Sequence, residues 1–551
     1  GWFPAQAGIE GERTVDMKVL LVNPRGVRTF WSMNHVIRHA RKKALLPPLG
    51  LLTVAALLPK EWECRLADLN LRPIAGDLWD WADLVMVSGN LAQRRDMAAV
   101  ILEAKRRGKT VVAGGPYPSL LPETVRAAGA DYVVVGEAET ALPGLLSAIA
   151  AGQHEGIIHE DGKPDLSLSP VPRFDLLDLD AYLIVGVQTS RGCPFTCEFC
   201  DIAALNGRTP RQKPVELVLK ELECLCALGW HGFVFFADDN FIGNRPQAKA
   251  LLEQLRLWNH GHGEPFAFWT QASVNLGHDL EMIDLMTAAN FHTVFLGIES
   301  PDREVLNQTR KFHNASHPLA EAVHNINANG LCIIGGFILG FDGEKRGIGD
   351  RIRAFVEETS LPVVVINPLQ AVPKTQLWER LKRENRLNEQ REGGAISGIE
   401  KLNFVPTRPE KEIYEEVLGL TSSLCEPSAF LKRAYDYYLT MRPTRRAMAL
   451  RDGTPLPPEP ARIRDAGAWR RLSEDLTGLT GMMWRQGVKA PTRLQFWRQF
   501  VGMRKRNPSR MVAYLSTIGH GENLAEFQGI IEERLGQDVD EYPGPESCNG
   551  L

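Results

Sequence analysis

Residues 183–200 read Leu-Ile-Val-Gly-Val-Gln-Thr-Ser-Arg-Gly-Cys193-Pro-Phe-Thr-Cys197-Glu-Phe-Cys200, a short apolar run that breaks at Gly192 into a CxxxCxxC loop. Three thiols at this spacing can grip an iron-sulfur cluster from one loop. A [4Fe-4S] cluster takes four thiolates, so three leave one iron open to an outside ligand, and an open iron implies chemistry. Zinc would want a fourth cysteine or histidine at paired spacing. The next cysteines, Cys224 and Cys226, fall in the helix-like stretch 214–228, where they read as packed thiols. Nine cysteines, an odd number, do not make a disulfide framework and point to a reducing cytoplasm.

Downstream, helical segments at 214–228, 245–258, 280–289, 317–329 and 348–359 alternate with strands at 232–237, 266–272, 293–298, 333–339 and 363–368. With the strand leading into the cysteine loop there are six, which predicts a partial (β/α)6 barrel over 183–374 with its active site at the C-terminal strand ends. Polar residues and glycines stand there: Asp238-Asp239-Asn240, Gln271 with Ser273, Glu299-Ser300, and Gly335-Gly336 through Leu339 to Gly343. The adjacent carboxylates read as a loop cap or a metal site, and the glycines as a bulge or tight turn.

Upstream, short apolar runs at 17–24, 64–68, 84–88, 110–113 and 132–135 alternate with helix-like segments such as 95–107 and 123–128. This predicts a doubly wound, Rossmann-like α/β domain over 17–151, followed by a linker over 152–182. The strands end at Asn23-Pro24, Asp68, Ser88-Gly89, Gly114-Gly115-Pro116 and Gly136-Glu137. Such ends bind ligands, and glycine admits a bulky one. There is no GxGxxG, which disfavours a dinucleotide site. Residues 1–16, without an apolar run, read as a disordered leader and not as a signal peptide.

The cysteine motif, with Phe199 before its last cysteine, matches the radical SAM superfamily. Asn23-Pro24, Pro47-Pro48-Leu49-Gly50, Gly114-Gly115-Pro116 and Gly136-Glu137-Ala138-Glu139 together resemble the cobalamin-binding domain of its B12-dependent members. The long C-terminal extension resembles the subgroup containing hopanoid-type methylases. The resemblance implies a [4Fe-4S] cluster on Cys193, Cys197 and Cys200, S-adenosylmethionine (SAM) on its open iron, and cobalamin on the first domain. It implies SAM contacts at Phe199, Asp238, Asp239, Asn240, Gln271, Ser273, Glu299, Gly335, Gly336 and Leu339. It implies cobalamin contacts at Asn23, Pro24, Ser88, Asn90, Leu91, Gln93, Gly114, Gly115, Pro116, Gly136 and Glu137. No histidine lies in a DxHxxG arrangement, so the segment 90–93, not an imidazole, is expected beneath the cobalt.

The implied activity is C-methylation of a small-molecule or lipid-like substrate at an unactivated carbon. One SAM methylates reduced cobalamin, and a second is cleaved to a 5′-deoxyadenosyl radical that takes the substrate hydrogen. A low-potential electron donor of flavodoxin or ferredoxin type is the implied partner. The alternatives are cyclisation, oxidation or rearrangement without net methylation, and a non-catalytic cobalamin or Fe-S sensor.

Composition agrees with an ordinary globular chain of about three domains: 551 residues, 44% hydrophobic, net charge −4. Nothing in that charge calls for nucleic acid. The apolar uncharged stretch 45–59 holds three prolines and falls short of the roughly 20 residues that span a bilayer. From 375 to 551 helical segments dominate, a helical cap broken by the proline-rich 453–460. Between Leu476 and Gly521 there is no acidic residue, while Arg485, Lys489, Arg493, Arg498, Arg504, Lys505, Arg506 and Arg510 interleave with Trp484, Phe496, Trp497 and Phe500. This reads as a helix with a core stripe, or as a basic amphipathic face making peripheral membrane contact without spanning. His520 and Glu522 read as packing residues or, alternatively, as lining the site.

Overall fold

The computed structural model of the chain describes residues 16–388, 400–454 and 479–536. Nearly all of the expected leader, and the proline-rich connector beyond Thr454, lie outside the described residues.

The N-terminal region is a parallel sheet of β1 (Lys18–Asn23), β2 (Glu63–Asp68), β3 (Leu84–Ser88), β4 (Thr110–Gly114), β5 (Tyr132–Val135) and β6 (Gly156–His159), in the order β2-β1-β3-β4-β5-β6. Its strands are apolar on both faces. Leu20 and Val22 join one core with Val85, Val111 and Val133, while Val19 and Leu21 join another with Leu84, Met86 and Val112. Helices cover both faces, as the doubly wound reading requires. Because β1 and β3 are neighbours, winding reverses between them, and the crevice at their C-terminal ends is where such a sheet takes a ligand.

The stretch 152–182, expected as a linker, contributes β6, which pairs with β5 from Tyr132↔Gly156 to Val135↔His159. Gly156-Ile157-Ile158-His159 is too short an apolar run to signal an edge strand by periodicity.

The central region is a second parallel sheet of β7 (Ile184–Val187), β10 (Gly232–Phe236), β11 (Phe266–Ala272), β12 (Phe291–Glu299), β13 (Cys332–Leu339) and β14 (Val363–Pro368). Their order, β14-β13-β12-β11-β10-β7, is that of a (β/α)6 partial barrel open between its first and last strands. All six expected strands are present. A short antiparallel pair, β8 (Ser190–Arg191) and β9 (Arg211–Gln212), frames the cysteine loop. Gly186 on β7 leaves space that Leu46 and Leu49 fill, and Trp31 meets Phe295 of β12 edge-on at 5.1 Å. The first domain thus lends side chains to the second sheet.

The C-terminal region is helical. Its longest helix, Met511–Gly536, packs on helices Glu410–Cys425 and Pro427–Thr440 and on the short helix Asn34–His39 of the first domain. No described helix is long and apolar enough to cross a membrane.

Candidate functional site

The cysteine loop begins where β8 ends. Gly192 turns the chain at φ +96°, and a Cβ there would stand 2.8 Å from the Thr209 carbonyl oxygen, so only glycine makes this turn. Its N–H donates to Asp239 Oδ2 at 2.7 Å, and Asn206 Nδ2 donates to the same oxygen at 2.8 Å. Asp238 is fully buried and accepts from the backbone N–H and the hydroxyl of both Thr189 and Ser190. Burial pushes both carboxyls up, and these donors oppose the shift. This corrects the expectation that Asp238 touches SAM: its oxygens are spent on building the loop, and it offers no surface. Of the two earlier readings of the pair, the loop cap is the one observed.

Cys193, Cys197 and Cys200 are free thiols, and burial pushes all three up. Asn240 Nδ2 lies 3.9 Å from Cys193 Sγ and donates to Ser273 Oγ at 3.2 Å. Sequence reasoning missed Lys311. This buried lysine donates to Glu299 Oε1 at 2.6 Å, stands 5.7 Å from the Phe199 ring, and draws down the Cys193 and Cys197 thiols. Burial alone would lower the Lys311 ammonium, but Glu299 and the cysteines outweigh it and raise it. Glu299 sits at φ 65° where the β12–β13 register shifts, and a Cβ on Gly297 would overlap its carboxylate. A lone lysine far along the chain carries no spacing signal.

The remaining expected SAM contacts divide. Phe199 lies beside the loop, 5.4 Å from the Phe341 ring. Gln271 Nε2 donates to the Asp238 carbonyl at 2.7 Å, bracing the strand end. At Gly335 a Cβ would press on Ile298, at Gly336 one would stand 2.8 Å from the Phe295 ring, and the Leu339 side chain is core. These glycines make room for protein side chains.

At the crevice of the first sheet, several expected cobalamin contacts are braces. Asn23 Nδ2 donates to Asp68 Oδ1 at 3.0 Å, Gln93 Nε2 donates to the Pro24 carbonyl at 2.7 Å, and Leu91 is buried in the core. Asn90 and Pro116 are exposed, with Ser88, Gly114, Gly115 and Gly136 half-buried beside them. Gly115, at φ +96°, has no room for a side chain: a Cβ would stand 2.5 Å from Ser88 Oγ. This bare backbone ledge, at the strand ends next to the topological switch point, suits a flat, bulky cofactor.

Glu137 is corrected as well. Its carboxylate takes Arg191 Nη1 at 2.7 Å and Arg211 Nη2 at 2.6 Å, while Glu139 takes Arg191 Nη2 at 2.8 Å. Arg191 immediately precedes Gly192-Cys193, so this clamp fastens the ledge to the cluster loop.

The donor set suits a cluster better than a single ion. Among the described residues, the trio of Cys, His, Asp or Glu ligand atoms lying within 4.8 Å of one another is His35, His39 and Glu522. The cysteine loop offers three thiols and no fourth cysteine or histidine at paired spacing, whereas a structural zinc site is closed by four ligands. A loop that spreads three thiolates beside a buried ammonium matches a [4Fe-4S] cluster with one open iron.

The histidine trio is itself an ion-pair clamp. Glu522 takes His35 Nε2 at 2.6 Å, Arg485 Nη2 at 2.8 Å and Gln486 Nε2 at 2.8 Å, and the guanidinium there opposes a metal cation. Burial would raise the Glu522 carboxyl, but these donors hold it at about 2. Since the folded value lies below the ordinary one, the stabilisation is full above about pH 4.5 and is lost as pH falls toward 2. Glu522→Gln should therefore cost roughly 1–3 kcal/mol at neutral pH and flatten the acid limb of a melting-temperature profile. An unchanged acid limb would count against the clamp.

Comparison with known proteins agrees with this geometry. The B12 binding domain profile matches residues 37–146, the Radical SAM superfamily profile 187–353, and a domain of unknown function (DUF4070) 375–537. The chain is 43% identical to the uncharacterized methyltransferase sll1242 of Synechocystis sp., covering 96% of this chain and 95% of that protein. It is 34% identical to the hopanoid C-2 methylase of Rhodopseudomonas palustris, covering 87% of this chain and 88% of that one. The fold resembles that of the cobalamin-dependent S-adenosylmethionine radical enzyme OxsB, with a TM-score of 0.57 and 16% identity over 95% of this chain and 80% of that one.

Proposed function

The chain belongs to the cobalamin-dependent radical SAM methyltransferases, and from that premise we propose that it methylates an unactivated carbon of an apolar, lipid-like molecule in the cytoplasm. The observation that carries this reading is the Arg191 clamp, which joins the glycine ledge of one domain to the cysteine loop of the next. Likeness to the hopanoid C-2 methylase supports the substrate class.

When bound, the cluster, SAM and cobalamin supply electron transfer, radical generation and methyl carriage, which side chains do not offer. The chain's own residues position them. Cys193, Cys197 and Cys200 hold the cluster, and Phe199, Asn240, Ser273 and Glu299 surround SAM. Lys311, paired with Glu299, would add a buried cation to that pocket. Gln271 and Asp239 brace the strand end and the loop behind that site. Ser88, Asn90, Gly114, Gly115, Pro116 and Gly136 would line the cobalamin ledge, with the segment 90–93 beside it. The working division is a cobalamin domain over 17–151 extended by β6, a barrel over 183–374 and a helical cap from 375. A low-potential donor of flavodoxin or ferredoxin type supplies electrons.

The test is an anaerobic assay of reconstituted protein with cobalamin, reductant and a lipid extract. Both 5′-deoxyadenosine and S-adenosylhomocysteine should form, together with a lipid one methylene heavier. 5′-Deoxyadenosine without S-adenosylhomocysteine would replace methylation with another radical reaction, and the absence of a methylated lipid would remove the substrate class.

A further inference from the structure

The helix Arg493–Arg506 turns Phe496, Gln499 and Met503 inward, and among the described residues nothing covers the opposite face. On that face Leu494, Trp497 and Val501, at i, i+3 and i+7, are 79%, 41% and 48% exposed. By helical spacing, Arg493 and Arg504 flank this stripe on one side and Arg498 and Lys505 on the other, all four exposed. The preceding turn extends the same face. Trp497 Nε1 donates to the Gly487 carbonyl at 2.8 Å, and the residues around Gly487 include exposed Trp484 and Val488. Among the described residues no ion pair is found for Lys489, Arg493, Arg498, Arg504, Lys505 or Arg506, and no acidic residue lies between Leu476 and Gly521.

We propose that this face docks on the surface of an anionic lipid bilayer. An apolar ridge rimmed by cations matches a headgroup region: tryptophan and aliphatic side chains enter the acyl boundary while arginine and lysine meet phosphates. The charge pattern argues against the other occupants. A second copy would set one cationic rim against another, and an acidic protein or a nucleic acid would answer the charge but not the protruding leucine, valine and tryptophan. The inference does not depend on which reaction the cluster site performs.

The test is co-sedimentation of the full chain with phosphatidylcholine vesicles, with and without phosphatidylglycerol. Wild type should pellet with the phosphatidylglycerol vesicles, stay in the supernatant with pure phosphatidylcholine, and be released by high salt. The triple variant Arg498→Glu, Arg504→Glu, Lys505→Glu, and separately Leu494→Glu with Val501→Glu, should each lower the bound fraction at least about tenfold. Melting temperature and substrate-free SAM cleavage should stay at wild-type values, since all five positions are exposed and outside the cluster site. Wild type that stays in the supernatant with both vesicles overturns the proposal, as does binding that these variants leave unchanged. A dimer in solution that the same variants dissociate would assign the face to a second copy instead.

Discussion

Cys197→Ala should leave a folded chain that no longer holds its cluster and no longer cleaves SAM. Two thiolates remain in the loop, and the fourth cluster position is already given to an outside ligand, so two of the four irons lack a protein ligand. The visible charge-transfer absorption and the iron content should fall to background after reconstitution. Cleavage of SAM to 5′-deoxyadenosine should drop at least about 10³-fold, a modest bound when catalysis spans about 10⁶-fold or more. Cys226→Ala is the matched control. Cys226 is a half-buried thiol on the helix Val215–Ala227, and its loss should leave the cluster in place. Retained cleavage in Cys197→Ala, or cluster loss in Cys226→Ala, would reassign the ligands.

The contrast between those two cysteines shows what was legible in the sequence. Spacing identifies the cluster loop because ligands from one loop must be close in sequence. The barrel strands were readable because each is an apolar run ending in a polar residue or glycine. Asp238 was misread for a related reason: a carboxylate pair at a strand end looks the same whether it faces a ligand or closes the loop behind it. Only its four donors from Thr189 and Ser190 decide. Gly336 likewise read as a SAM contact or a tight turn, and the ring of Phe295, more than 40 positions earlier, stands where its side chain would be. Lys311 and the Arg191 clamp were out of reach because they act through tertiary neighbours. Glu137 and Glu139 had been read as part of a cobalamin motif, while their partner Arg191 was read only as the residue before a cysteine loop.

That clamp carries the second large expectation. In Arg191→Met, Glu139 and Glu137, whose side chains are 1% and 7% exposed, lose the guanidinium that neutralises them. Glu137 keeps Arg211 and Lys163, but among the described residues no other ion pair is found for Glu139. Breaking one side of such a buried pair costs about 3–5 kcal/mol. The effect should depend on pH. Burial raises the Glu139 carboxyl, but in the wild type the Arg191 bonds outweigh it and hold the group below its ordinary value. Its contribution is therefore full above about pH 4.5 and lost below. Without Arg191 burial prevails, the folded value rises above the unfolded one, and stability is lost as pH rises instead. Denaturation midpoints of variant and wild type should thus converge toward pH 4 and separate most at pH 7 and above. Function should change in a graded way, because the cysteines and Lys311 remain in place while the ledge is released from the loop. 5′-Deoxyadenosine formation should persist, and S-adenosylhomocysteine per 5′-deoxyadenosine should fall as methyl transfer loses its alignment. Arg191→Lys, which keeps the charge but not the forked bonds to both carboxylates, should recover part of the stability and less of the product ratio. Equal loss of both products would mean that Arg191 serves only to fold the cysteine loop, and an unchanged midpoint at pH 7 would mean that the clamp does not hold the two domains together.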